Sequence, residues 1–168
     1  MIPYGKHYID EDDIDAVVNV LKSDWLTTGP CVEAFEKAIS DYVGAPYAIA
    51  VSNGTAALHC AMHAIDIVPG DEVIVPAITF VATANCVRYL GGKPVFADVQ
   101  EDTLLIDPED VERKITGKTK AIIAVDYAGQ PCDYQSLRTI CTKHDLILIS
   151  DACHALGARY HGEPLGSI

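Results

Sequence analysis

The sequence has 168 residues, 49% of them hydrophobic, enough to enclose the core of one domain. Twelve basic against 24 acidic side chains leave a formal charge of −12, which argues against polyanionic partners, nucleic acid and anionic membrane surfaces alike. No apolar run is long enough to span a membrane, and Met1-Ile2-Pro3-Tyr4-Gly5 has no signal-peptide pattern. In chain order, Asp10 can cap a helix carrying Ile14, Val17, Val18 and Leu21, with Asp12 and Asp13 in its first turn. Trp25-Leu26-Thr27-Thr28-Gly29-Pro30 reads as a loop. A second amphipathic helix uses Val32, Phe35, Ile39, Tyr42 and Val43 and stops at Gly44. Tyr47-Ala48-Ile49-Ala50-Val51 reads as a buried strand. It opens onto a helix whose apolar face holds Ala56, Ala57, Leu58, Ala61, Met62 and Ile65.

Beyond the break at Pro69-Gly70-Asp71, residues 72–76 form a compact strand, and Phe80 to Leu90 is helical in pattern up to Gly91-Gly92. Residues 94–99 are another strand, and Asp107-Pro108 starts a short helix carrying Val111 and Ile115. The runs 121–125 and 146–149 are apolar without alternation, which suits strands covered on both faces. A helix from about Asp133 to His144 separates them, and the tail suits a hairpin around His161-Gly162. Five strands alternating with helices predict an α/β fold with a mainly parallel sheet and no internal domain boundary. The chain stops at Gly166-Ser167-Ile168 with no closing element, the pattern of a fragment. The six cysteines are scattered without a C-x-x-C pair, so small core thiols in a reducing cytoplasm are expected rather than disulfides or a zinc site. His59 and His63 have the spacing of paired zinc ligands, but no acidic residue completes the pattern and no metal site is expected. The cluster Asp10 to Asp13 is explained by a helix N-terminus.

Ligands of such sheets sit beyond the carboxyl ends of the strands. Asp151 and Asp126 each directly follow a strand, Pro76 to Phe80 leave a third, and Ser52-Asn53-Gly54-Thr55 joins strand to helix; these could line one cleft. Free N–H groups and a positive dipole at the helix start suit a phosphate, with Gly54 lacking a Cβ where it would approach. The plain alternatives are that Ser52 and Thr55 cap the helix, that Asp151 caps a turn, and that Phe80 is core. Pyridoxal phosphate needs such a set: a helix N-terminus for its phosphate, a flat apolar partner for its ring, and a carboxylate for its ring nitrogen.

Four segments, Trp25 to Pro30, Ser52 to Leu58, Pro76-Ala77-Ile78-Thr79-Phe80-Val81-Ala82-Thr83 and Asp151-Ala152-Cys153-His154-Ala155-Leu156-Gly157-Ala158, resemble successive motifs of the DegT family of sugar aminotransferases. The resemblance runs in register from about Ile2 to the last residue. It implies the aspartate-aminotransferase fold (type I pyridoxal-phosphate enzymes), with residues 1–168 forming the N-terminal part of the large domain. Among subfamilies the chain most resembles, on overall likeness that includes Ile2-Pro3-Tyr4-Gly5 and Val125-Asp126-Tyr127-Ala128-Gly129, the transaminase of pseudaminic acid synthesis, which aminates C4 of a UDP-linked 4-keto-6-deoxy-N-acetyl sugar. Such an enzyme serves surface polysaccharide or nonulosonate synthesis.

By that resemblance Gly54 and Thr55 hold the cofactor phosphate and Phe80 stacks on the ring. Asp151 pairs with the ring nitrogen, and His154 lies near the ring hydroxyl. Thr28 and Gly29 resemble a loop beside the substrate. The resemblance also implies a nucleotide-sugar substrate, glutamate as amine donor, a homodimer with shared sites, and a Schiff-base lysine in a Ser-Phe-His-x-x-Lys motif. That motif is absent here, so the 168 residues alone are expected to be inactive, and the family's sugar dehydratases, which carry His in place of that lysine, remain an alternative. A non-catalytic Rossmann-type nucleotide-binding module is a third reading, disfavoured because Ser52-Asn53-Gly54-Thr55 is not G-x-G-x-x-G.

Overall fold

The computed structural model describes residues 6–167. Ile2-Pro3-Tyr4-Gly5, part of the resemblance, lies outside them, as does Ile168. The chain falls into two compact units, one of the described residues up to Asp41 with Pro46–Ala50, the other of Tyr42–Ala45 with everything from Val51 onward.

The first unit contains α1 (Glu11–Lys22) and most of α2 (Pro30–Val43). Asp10 begins α1 with a reciprocal capping box: its carboxylate accepts the Asp13 N–H at 3.2 Å, and the Asp13 carboxylate accepts the Asp10 N–H at 3.1 Å. The predicted apolar stripe is present, yet α1 buries none of its residues. Residues 47–51 are not a strand, and Tyr47 and Ile49 are 86% and 83% exposed. Apolar periodicity reports which face a segment could bury, but not whether a neighbouring strand is at hand to take its N–H and C=O groups. Here the Ala50 N–H goes to the Glu36 carboxylate instead, at 2.7 Å.

The second unit is built on a parallel sheet of β1 (Glu72–Pro76), β2 (Lys93–Ala97), β3 (Thr119–Val125) and β4 (Ile147–Asp151) in the order β2-β1-β3-β4. Alternation across the sheet divides the core in two. Val73, Val75, Ala121, Ile123 and Val125 meet Leu58 and Met62 of α3 (Gly54–Ala64) and Ala82, Cys86 and Val87 of α4 (Ala82–Tyr89). Ile74, Ile122 and Ala124 meet Val111 of α5 (Pro108–Lys114) and Tyr134, Leu137 and Ile140 of α6 (Tyr134–His144) on the opposite face. Each large aliphatic side chain taken fully out of water contributes about 1.5–3 kcal/mol. The run 121–125 in β3 is thus buried on both faces as expected, whereas the run 146–149, for which the same was expected, is only partly covered, with Ile147 of β4 41% exposed among the described residues.

The tail forms the expected hairpin: β5 (Arg159–Tyr160) pairs with β6 (Glu163–Pro164) through His161 and Gly162, both at positive φ. Of the cysteines, 86, 132 and 141 are buried as expected, but 31, 60 and 153 are exposed. His59 stands edge-on to Tyr89, ring centroids 5.1 Å apart.

Candidate active site at the strand carboxyl ends

After β1 the chain passes to β2 on one side, then crosses to β3 on the other, so the order of connection reverses between β1 and β3. That switch leaves a crevice beyond the carboxyl ends of the two strands. Residues 77–81 leave β1 there, and Asp126 leaves β3.

Asn53, rather than Ser52 or Thr55, caps α3. Its side-chain oxygen accepts the Ala56 N–H at 2.9 Å and its carbonyl the Ala57 N–H at 3.1 Å. Among the described residues nothing accepts the N–H groups of Gly54 and Thr55. They stay available at the positive end of the helix dipole. Asn is among the favoured caps, so the signal was present in the sequence and outweighed by its hydroxyl neighbours.

Gly54 also ties this helix start to the end of β4. A Cβ added to it would lie 3.0 Å from the Cys153 Sγ. Cys153 belongs to the turn after Asp151, and its N–H donates to the Asp151 carboxylate at 3.2 Å. Asp151 is buried, whereas the Cys153 thiol is pushed up to about 11 by partial burial and the carboxylate beside it. The Cys86 thiol on α4 is likewise pushed up to about 11, chiefly by burial. Asp151 lies on the α3/α4 side of the sheet, in parallel register with Val125, which packs in that half of the core.

Phe80 is 71% exposed in the turn before α4, not a core residue and not yet helical. His154 lies close to the turn after β3: its Nδ1 accepts the Ala128 N–H at 3.4 Å, and its ring stands 6.1 Å from that of Tyr127. Ala128 holds a left-handed φ of 55° to present that N–H. With Nδ1 accepting, the neutral imidazole carries its proton on Nε2. Thr28 and Gly29 belong to the first unit, where Thr28 has a φ of 48° and Gly29 immediately precedes α2.

Asp126 does not line the crevice. It is fully buried and turned toward α6, where one carboxylate oxygen accepts the Cys132 N–H at 2.9 Å and the other the Tyr134 hydroxyl at 2.8 Å. Burial raises it above the usual carboxylate range, against the pull of these donors. The sequence could place Asp126 after a strand, but not choose the face it turns to.

The profile of the DegT/DnrJ/EryC1/StrS aminotransferase family matches residues 7–168. Among solved structures, a Streptococcus pneumoniae protein assigned as a sugar aminotransferase, Spr1654, superposes in its PMP form with a TM-score of 0.95 at 38% identity, over 99% of this chain and 46% of its own. An aminotransferase from Psychrobacter cryohalolentis gives 0.92 at 40% identity, over 98% and 42%. PseC of Helicobacter pylori, an aminotransferase in the biosynthesis of pseudoaminic acid, gives 0.93 at 36% identity, over 98% and 44%. The chain thus spans less than half the length of these relatives, and the parallel sheet flanked by helices is that of their aminotransferase fold. On the family match and the identities together, this chain belongs to the DegT/DnrJ/EryC1/StrS aminotransferase family.

Proposed function

We propose that the second unit supplies the coenzyme-holding face of a pyridoxal-phosphate transaminase, and that residues 1–168 are the N-terminal part of its large domain. The whole protein would aminate C4 of a nucleotide-linked 4-keto-6-deoxy sugar, with glutamate as donor, for surface polysaccharide or nonulosonate synthesis. A cytoplasmic homodimer is part of the same reading. What carries it is the packing of Gly54 against Cys153, where a Cβ on Gly54 would come within 3.0 Å of the Cys153 Sγ, because it sets an unsatisfied helix N-terminus against the turn that follows a buried carboxylate. The likeness to PseC, which acts in the biosynthesis of pseudoaminic acid, supports the sugar; the similar identities of the other relatives leave that sugar as the finer part of the proposal.

Bound pyridoxal phosphate supplies an electron sink for the pair left on carbon when a proton departs. The chain's own groups divide the remaining tasks. The N–H groups of Gly54 and Thr55, with the Thr55 hydroxyl, bind the phosphate dianion. Phe80 gives the ring an apolar face and keeps water from it. Asp151 keeps a proton on the ring nitrogen by favouring the charged pyridinium. His154, its Nδ1 occupied by Ala128, donates from Nε2 to the ring hydroxyl.

Absorbance titration of the whole protein with pyridoxal phosphate, beside the same titration with NAD, tests the reading. Thr55→Val should weaken coenzyme binding by about tenfold, the worth of one charge-assisted hydrogen bond. Binding of NAD without any pyridoxal-phosphate spectrum would overturn it in favour of a nucleotide-binding module.

A further inference from the structure

We infer that Asp126 is a positioning residue, fixing the Asp151 carboxylate by pinning the end of β4 from the opposite face of the sheet. This rests on the assignment of Asp151 to the ring nitrogen made above.

Among the described residues β4 pairs with β3, and its last pair is Asp151 with Val125. Beyond that pair the Asp126 N–H donates to the Asp151 carbonyl at 3.1 Å, the final rung of the ladder. Side chains alternate along β4, so Ser150 projects to the α6 face while Asp151 projects to the α3/α4 face. With the Tyr134 proton given to Asp126, the Ser150 hydroxyl donates to the Tyr134 oxygen at 2.6 Å and shares its own proton with the Asp126 carboxylate at 3.3 Å.

Asp126 thus collects donors from three places: Ser150 on β4, and Cys132 and Tyr134 at the start of α6. Tyr134 is itself fully buried and stands edge-on to Tyr160, with ring centroids 5.6 Å apart. Every member of the cluster has a partner, which is the condition under which a buried polar network rigidifies its surroundings. Asp126 is therefore linked to Asp151 twice, through the backbone rung and through the adjacent serine. Neither link brings it to the coenzyme, since its carboxylate faces away from the crevice.

The test uses Tyr134→Phe and Ser150→Ala in the whole protein, with Asp126→Asn as the more severe variant and Asp151→Asn as control. The readout is the 15N shift of the ring nitrogen of labelled pyridoxal phosphate bound to the protein, followed against pH. Asp151→Asn should abolish the protonated ring-nitrogen signal near neutral pH. Tyr134→Phe and Ser150→Ala should lower the ring-nitrogen pKa by about one unit, a tenfold loss of preference for the pyridinium. With those shifts, kcat falls and the KM for the amine donor holds. If Asp151→Asn moves the signal while both milder variants only lower Tm, Asp126 is a stabilising residue and the inference fails with the site assignment intact. If Asp151→Asn leaves the signal unmoved, the site assignment fails and takes the inference with it.

Discussion

Where β2 ends, the Asp98 N–H donates to the Asp110 carboxylate at 2.7 Å, and the Arg113 guanidinium reaches the other oxygen at 3.1 Å. The backbone donor is the main reason Asp110 is held below the usual carboxylate range, with Arg113 and Lys114 assisting. The sign follows from linkage. A carboxylate whose pKa is lowered in the folded state gives stability that is complete above its unfolded value of about 4 and is lost as pH falls through the folded value. Asp110→Asn should therefore lower Tm at pH 7 and flatten the fall of Tm on acidification below about pH 4. Parallel acid slopes for the two proteins would show that Asp110 is not part of the acid response. Single residues were also the scale at which the sequence was least legible. Asp126 and Asp151 both follow apolar runs and read alike, yet one faces α6 and the other the α3/α4 side. Register and alternation decide that difference, and neither is visible until the strands are paired.

At the scale of elements the sequence said much more. The helices carried by Leu58, Val111 and Leu137 lie close to their predicted spans, because periodicity, caps and breakers agree there. Gly91-Gly92 correctly ended α4, and the structure adds why the second glycine is needed. A Cβ on the buried Gly92 would sit 2.7 Å from the Ile67 Cγ2 and 2.9 Å from the Val87 Cγ1. Both neighbours are core residues without room to retreat, so Gly92→Ala should cost about 1–3 kcal/mol. Urea unfolding checks this: the midpoint should fall with the m-value unchanged. The one element misread, residues 47–51, failed for the complementary reason. Its composition is that of a strand, but pairing is a property of two segments, and composition describes only one.

For the whole molecule, the parallel sheet sorts charge as well as apolar surface. Lys93 opens β2 and Lys118 and Lys120 flank the start of β3, while Lys114 and Lys143 fall in the last turns of α5 and α6. A helix connecting parallel strands runs opposite to them, so its last turn lies at their amino ends. All five lysines of the second unit thus gather at the pole away from Asp151 and Gly54, several already paired, as Lys93 is with Glu72 at 2.8 Å. None is placed to shuttle a proton at the crevice. Purified as 168 residues, the chain should form no 2-oxoglutarate from glutamate and a keto sugar, a result that a coupled dehydrogenase assay reads directly; robust turnover would disprove it.

The same sorting bears on chemical labelling. Borohydride reduction in the presence of pyridoxal phosphate is a common way to mark the residue that bears the vitamin. Applied to this polypeptide, it would tag exposed ammonium groups, and peptide mapping would return a residue such as Lys93, at the opposite end of the strands from Asp151, as a convincing but misleading hit. Occupancy here is better followed through the phosphorus resonance of the ligand than through any modified amine.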